Sequence, residues 1–290
     1  MENIRIGTMA GGFNSPEVIN QIKKYGFECF ELNFGELSSE TELIELSKKV
    51  KESLGSDDIQ ISCVGTYGNP LIDENSVTSW KTLIKTAKYF NTDLVVGFAG
   101  ALDTQPLEES LPKFKEVFSE LVKMAEDNGL KIAFENCAMG GRWDSVRRNI
   151  AINHNAWELM FNEVKSENIG LEWEPCHQMV QLIDPIAQLR KWAKKVFHLH
   201  GKDATIAHDI IREHGILGGH DWCWHRTPGF GDTNWSDIIT ILRMNGYKGN
   251  IDIEGWHDPV YRDELEYTGQ VNGLNYLKER RGGDYIPNPK

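Results

Sequence analysis

The sequence predicts a single (β/α)8 barrel with a long loop after the seventh strand. Three observations lead there. Short β-rich runs recur at a mean spacing of about 35 residues, the size of a strand–loop–helix unit. Amphipathic stretches fill the intervals. No shift in composition divides the 290 residues, although a length-based prior allows two domains. The barrel is expected over residues 1–281, with residues 282–290 as a terminal extension. A doubly wound open sheet is the alternative.

Strands are expected near Ile4–Gly7, Cys29–Asn33, Ile59–Val64, Leu94–Phe98, Lys131–Glu135, Ile169–Glu174, Val196–His200 and Asn250–Glu254. Parallel strands covered on both faces read as continuous apolar runs, and Leu94-Val95-Val96-Gly97-Phe98 does. Between strands, Leu107, Leu111, Phe114, Phe118, Leu121 and Ala125 step by three and four along one helix face; Pro112 places its regular part after residue 112. Asp184-Pro185 reads as an N-cap followed by proline at the first helical position, with Ile186, Leu189 and Ala193 buried. Asn234 with Asp237 three residues on starts another helix, which Gly246 ends. A last helix runs from about Asp263 to Arg280. The spacing breaks once, between His200 and Asn250, which lie about 50 residues apart; the stretch from Lys202 to Asp232, rich in His, Trp and Gly, is expected to cap the barrel mouth.

Composition narrows the function. Apolar (40%) and charged (26%) fractions are those of a globular protein, which excludes disorder and fibrous classes. Lys+Arg 31 against Asp+Glu 43 gives a net charge of −12, which repels phosphate backbones and argues against a nucleic-acid partner. No apolar run reaches the ~20 residues of a membrane span, and Met1-Glu2-Asn3-Ile4-Arg5 lacks a signal peptide's apolar region. Five cysteines without a Cys-x-x-Cys pair suit a reducing, cytoplasmic setting.

Barrel enzymes place their chemistry at the C-terminal ends of the strands. Strand five ends in Glu135, strand six in Glu174, strand seven in His200 and strand eight in Glu254. Three carboxylates converging on one mouth repel each other unless they hold protons or meet a cation. With one imidazole added, the donor set suits Mn²⁺ first, and also Mg²⁺, Co²⁺ or Zn²⁺. Isolated rim charges are the plain alternative. His177, three residues past Glu174, is expected to bind substrate, with a further metal ligand or a group orienting a carboxylate as the alternatives. His198 is expected to face away from His200 as a packing histidine. Asp252 shares the face of Glu254 in a deeper layer. Lys202 and Asp203 either hold a substrate oxygen or form a surface ion pair, and Cys137 and Cys176 read as filler beside the site.

Nine tryptophans are many for this length; Trp143 and Trp256 beside the strand ends suit stacking on a sugar or other polyol, with core packing as the plainer role. Arg226 precedes Pro228-Gly229-Phe230-Gly231, whose Gly-x-Gly is a weak phosphate signal. The acidic, aromatic Glu254-Gly255-Trp256-His257-Asp258 is no phosphate cradle, so an unphosphorylated substrate is favoured.

Phe134-Glu135-Asn136, Glu174-Pro175-Cys176-His177, His198-Leu199-His200-Gly201-Lys202-Asp203, Pro228-Gly229-Phe230-Gly231 and Ile251-Asp252-Ile253-Glu254 occur in this order. Together they resemble the xylose isomerase-like barrel superfamily, in its sugar phosphate isomerase/epimerase branch, from Ile4 to about Leu277. The resemblance implies one divalent metal on Glu135, Glu174, His200 and Glu254, proton transfer by Glu135 and Glu254, and a substrate-binding His177. Glu174 departs from the aspartate of the family's ketose 3-epimerases. Their arginine soon after the ligand histidine is also absent, for no Arg precedes Arg212, and Arg226 is the candidate substitute. A dimer or tetramer is likewise implied only by resemblance.

The expected activity is metal-dependent isomerisation or epimerisation of a keto-sugar or related polyol through an enediolate, with Glu135 and Glu254 as acid and base. A lyase or dehydratase shares the intermediate but expels a substituent, as in keto-cyclitol dehydration or 3-keto-glycoside cleavage; the loop from His208 to His225 would then supply the acid. A non-catalytic sugar binder and an abasic-site endonuclease are the remaining classes, the latter opposed by the net charge.

Overall fold

Runs with apolar side chains on both faces must be covered twice, from inside and outside. In the computed structural model, which describes residues 4–37, 39–283 and 286–289, they close into a parallel barrel. The strands are β1 (Ile6–Gly11), β2 (Cys29–Phe34), β3 (Gln60–Thr66), β4 (Leu94–Gly97), β5 (Lys131–Glu135), β6 (Ile169–Trp173), β7 (Val196–Gly201), β8 (Asp203–Ile206), β9 (Cys223–Arg226) and β10 (Ile251–Ile253). β1 to β7 follow one another round the barrel, and β10 closes it between β7 and β1, with Ile6 beside Ile251 and Thr8 beside Ile253. The closed eight-stranded barrel is the fold expected; the open sheet is not. The expected readings at Met1-Glu2-Asn3 and at Asp284, Tyr285 and Lys290 of the tail lie outside the described residues.

The outer layer follows the helical stripes. The helix Leu107–Asp127 buries Phe114 and Phe118 against Phe134 of β5, ring centroids 5.6 and 4.9 Å apart, and Trp80 closes the cluster 5.6 Å from Phe118. One expectation is corrected: this helix begins at Leu107 and contains Pro112. Pro112 is exposed and sits close to the start, so the amide it lacks is lost near the helix end, facing solvent. Asp184 caps Pro185–Trp192 by accepting from the Ile186 and Ala187 amides, and Asn234 caps Trp235–Met244 by accepting from Asp237 N. Gly246 has φ 73, the left-handed value that ends a helix.

The long stretch after β7 is not irregular. β8 and β9 pair antiparallel, Asp203 opposite Arg226 and Ile206 opposite Cys223, with the helix His208–His214 between them. Two of the barrel's pairings carry a register shift, at Phe30/Glu31 of β2 against β3 and at Leu171/Glu172 of β6 against β7.

Candidate active site and metal centre

Successive side chains alternate across a strand, so residues two apart share a face. Three neighbouring strands end in such pairs: Glu172 and Glu174, His198 and His200, Asp252 and Glu254. The second member of each reaches the mouth; the first lies one layer deeper. The mouth layer, joined by Glu135 of β5, brings one donor atom each from Glu135, Glu174, His200 and Glu254 within 4.8 Å of one another. His200 Nδ1 stands 3.4 Å from Glu254 Oε2, 3.5 Å from Glu174 Oε2 and 3.9 Å from Glu135 Oε1.

Local contacts fix these side chains. The Asn136 side chain accepts from Glu174 N (2.7 Å) and donates to Glu174 O (2.9 Å), tying the ends of β5 and β6 together. Asn149 donates to the carbonyls of Glu135 and Cys137, 2.8 Å each, and accepts from Ala99 N. The Cys176 thiol donates to Glu174 Oε1.

The donor set fits a divalent cation. Glu174 Oε2, His200 Nδ1 and Glu254 Oε2 are buried, make no hydrogen bond and converge. Buried polar atoms are rarely left so. His200 Nε2 lies 2.9 Å from Glu31 Oε2 and 3.1 Å from Glu172 Oε1, which fixes its proton there and leaves the Nδ1 lone pair facing the cluster. The charges fit as well: buried Lys202 lies 2.9 Å from Glu254 Oε1 and 3.3 Å from Glu174 Oε1, and a dication would balance the rest. Without one, burial raises the Glu135 carboxyl, whereas at Glu254 burial is outweighed by Lys202, which holds it at about 2.

A cavity of about 1180 Å³ opens over this cluster, lined by Glu135, His177, His200, Lys202 and Glu254 among the expected residues. His177 Nε2 is 3.3 Å from Glu174 Oε2 and 3.5 Å from Glu135 Oε1. The other expected substrate residues lie elsewhere. Trp143 does not line the cavity; its Nε1 donates to Glu108 (2.8 Å) and its carbonyl accepts from Leu107 N, anchoring the helix Leu107–Asp127. Trp256 has φ +67 and is 50% exposed outside the cavity. Arg226 reaches away across the hairpin, 3.1 Å from Asp258 and 3.4 Å from Thr205 Oγ1. Lys202 and Asp203 do not pair: Asp203 is buried and accepts from the amides of Ala204, Gly229 and Thr233 and from Trp235 Nε1. His198 is also corrected. Being two residues from His200 it faces the same way, into the barrel, 3.2 Å from Glu31 Oε2 and 3.3 Å from Asp252 Oδ2.

Sequence reasoning missed Glu31, the hydrogen-bond partner of His200 Nε2, and Glu172, 3.1 Å from the same nitrogen. It missed Tyr67, whose hydroxyl lies 2.6 Å from Glu31 Oε1 and 3.0 Å from Glu172 Oε2 and whose ring lines the cavity. It also missed His257, 3.2 Å from Glu254 Oε1. The doubled pairs at the strand ends were a signal for the inner layer; Glu31, within an otherwise apolar strand, was another. Of the long loop, His225 lines the cavity, ring centroids 5.4 Å from His177 and 5.8 Å from His257; His208 does not. No helix among the described residues is long and apolar enough to cross a membrane.

Comparison with known proteins agrees with this architecture. The chain is 26% identical over 178 residues to the inosose dehydratase of Clostridium beijerinckii, covering 60% of this chain and 56% of that protein. It is 26% identical over 192 residues to the inosose isomerase of Halalkalibacterium halodurans, covering 66% and 62%. The matched stretch thus spans less than two thirds of either relative. Among solved structures, the 3-keto-D-glucoside 4-epimerase from E. coli superposes with TM-score 0.70 at 16% identity, covering 94% of this chain and 98% of that one. A D-psicose 3-epimerase superposes with TM-score 0.69 at 15% identity, covering 97% and 100%. At these identities the structural likeness is one of fold. The family model described as xylose isomerase-like TIM barrel matches residues 19–278, nearly the whole barrel, and the chain belongs to that family.

Proposed function

We propose that this protein is a divalent-metal-dependent isomerase or epimerase of an unphosphorylated keto-sugar or related polyol, working through an enediolate. The observation that carries the reading is the convergence of Glu135, Glu174, His200 and Glu254, three of whose buried donor atoms have no hydrogen bond. These four residues would hold the ion, with Mn²⁺ favoured by the oxygen-rich set. When bound, such an ion supplies positive charge that stabilises a developing oxyanion.

The chain's own groups do the rest. Glu254 removes the proton from the carbon beside the carbonyl, since Lys202 keeps it ionised. Glu135, raised by burial, returns a proton from its own strand end for epimerisation. His177, on the wall between Glu135 and Glu174, orients a substrate hydroxyl. The cavity walls limit water around the carbanionic species. The test is turnover of ketoses, keto-inositols and 3-keto-glycosides in D₂O with Mn²⁺, read by NMR. Deuterium at the carbon beside the carbonyl supports the reading; conversion without exchange, or full activity after exhaustive chelation, refutes it.

A second reading, dehydration or elimination from the same intermediate, is favoured by the inosose dehydratases among the relatives and by His257 at the cavity. The His257 imidazole could protonate a leaving hydroxyl or alkoxide, whereas burial, then Lys202, hold His225 down at about 4. An unsaturated product in the same NMR assay identifies it.

A further inference from the structure

The layer beneath the mouth has a composition of its own. Two of the barrel's parallel pairings carry register shifts, and both fall there. One passes over Ser62, so that Glu31 lies beside Cys63; the other passes over Phe197, so that Glu172 lies beside His198. Such irregularities re-aim side chains. Here they set two pairs of polar residues side by side at the barrel axis, where apolar packing would be the default.

One donor atom from each of Glu31, Cys63, Glu172 and His198 lies within 4.8 Å of the others, and all four residues are buried. His198 Nε2 is 3.2 Å from Glu31 Oε2 and 4.0 Å from Glu172 Oε1. Both His198 Nε2 and Glu172 Oε1 make no hydrogen bond, although neither side chain exceeds 1% exposure. A tetrahedral zinc ion with donors about 2.0–2.3 Å away sets those donors roughly 3.3–3.8 Å apart, a range that the 3.2 and 4.0 Å separations at His198 bracket.

We propose that Glu31, Cys63, Glu172 and His198 form a second cation site in the barrel core, taken by a borderline-soft dication of the zinc class. Two carboxylates, one imidazole and one thiolate favour such an ion over Mg²⁺ or Ca²⁺. Binding forms a metal–sulfur bond as the Cys63 thiol releases its proton to solvent. A cavity of about 780 Å³ at the opposite end of the barrel is lined by Ser62, His198, Tyr247 and Asn250, so of the four donors it borders His198. The function is support. Glu31 and Glu172 are also the groups that face His200 Nε2, so fixing them on an ion fixes a ligand of the mouth cluster.

The full chain, stripped with chelator and titrated with Co²⁺, tests this through metal content and absorption. Two equivalents are expected, with a thiolate-to-cobalt charge-transfer band in the near ultraviolet. Cys63→Ser should remove the band and one equivalent, while circular dichroism reports its folding. If that variant does not fold, His198→Gln serves, with the loss of one equivalent expected. Glu254→Gln combined with Glu174→Gln should remove the other equivalent and leave the band, so the two sites fail separately. A single equivalent without a thiolate band, a band that survives Cys63→Ser, or a second equivalent that survives His198→Gln overturns the proposal.

Discussion

Replacing Lys202 by methionine keeps the buried stem and removes only the charge. Its Nζ lies 2.9 Å from Glu254 Oε1 and 3.3 Å from Glu174 Oε1 at 2% side-chain exposure, so two carboxylates lose their nearest cation. Removing one partner of a buried ion pair costs about 3–5 kcal/mol. At roughly 2 °C per kcal/mol for a large domain, the chelated variant should melt about 6–10 °C below wild type. A dication among Glu135, Glu174, His200 and Glu254 neutralises the same carboxylates. In saturating Mn²⁺ the gap should therefore shrink, and the variant should bind Mn²⁺ more tightly. If the gap narrows by about 2 kcal/mol, the affinity gain is roughly 30-fold. Differential scanning fluorimetry with and without Mn²⁺, together with calorimetric titration, measures both quantities. An equal drop in the two conditions, or weaker Mn²⁺ binding by Lys202→Met, would show that Lys202 and the ion do not share the same charges.

Glu254→Gln should lower exchange of the substrate proton with D₂O by about 10²–10⁴-fold, with residual exchange measured by NMR. Glu31→Gln leaves His200 Nε2 without its 2.9 Å carboxylate partner and should weaken Mn²⁺ binding about 10–100-fold by calorimetry. Trp143→Phe should leave KM within about twofold and cost about 0.5–1 kcal/mol of stability, because its indole bonds Glu108 outside the cavity. At Glu28, burial raises the carboxyl but Arg281, the Ile6 amide and Lys278 outweigh it, leaving it below 4.5. A depressed carboxyl stabilises the fold above its unfolded pKa and loses that contribution as pH falls through the folded one. Glu28→Gln should therefore cost about 1 kcal/mol at neutral pH, with the gap to wild type closing below about pH 4.5 in urea melts.

The barrel was legible because parallel strands, covered on both sides, stand out as apolar runs ending in polar residues. Leu94–Gly97 and Lys131–Glu135 fall within or match their expected spans, whereas β1 extends to Gly11, past the expected Gly7. Its interior is tight there: a Cβ on Gly7 would run into the Cys29 carbonyl and Asp252 Oδ1. The mouth cluster was legible because Glu135, Glu174, His200 and Glu254 end four consecutive strand units. The inner layer was legible at Asp252, and the same two-residue spacing holds for Glu172 and His198; which of these residues meet Glu31 and Cys63 depends on two register shifts that no local pattern announces. Trp143 and Arg226 were misplaced for a related reason. Proximity in sequence to a strand end does not say which way a loop turns, and each found a carboxylate, Glu108 or Asp258, outside the cavity.

The four mouth donors come from one contiguous arc, β5, β6, β7 and the segment after β10, while β2 and β3 and their loops furnish Phe34, Glu36, Tyr67 and Asp73 on the facing wall. Under the proposed function, reactivity and admission thereby lie in different sectors of one ring. Loops on the admitting sector can lengthen, shorten or change charge without disturbing the reacting one. On that reading, such a division lets the substrate-admitting loops vary while the metal-holding arc stays in place.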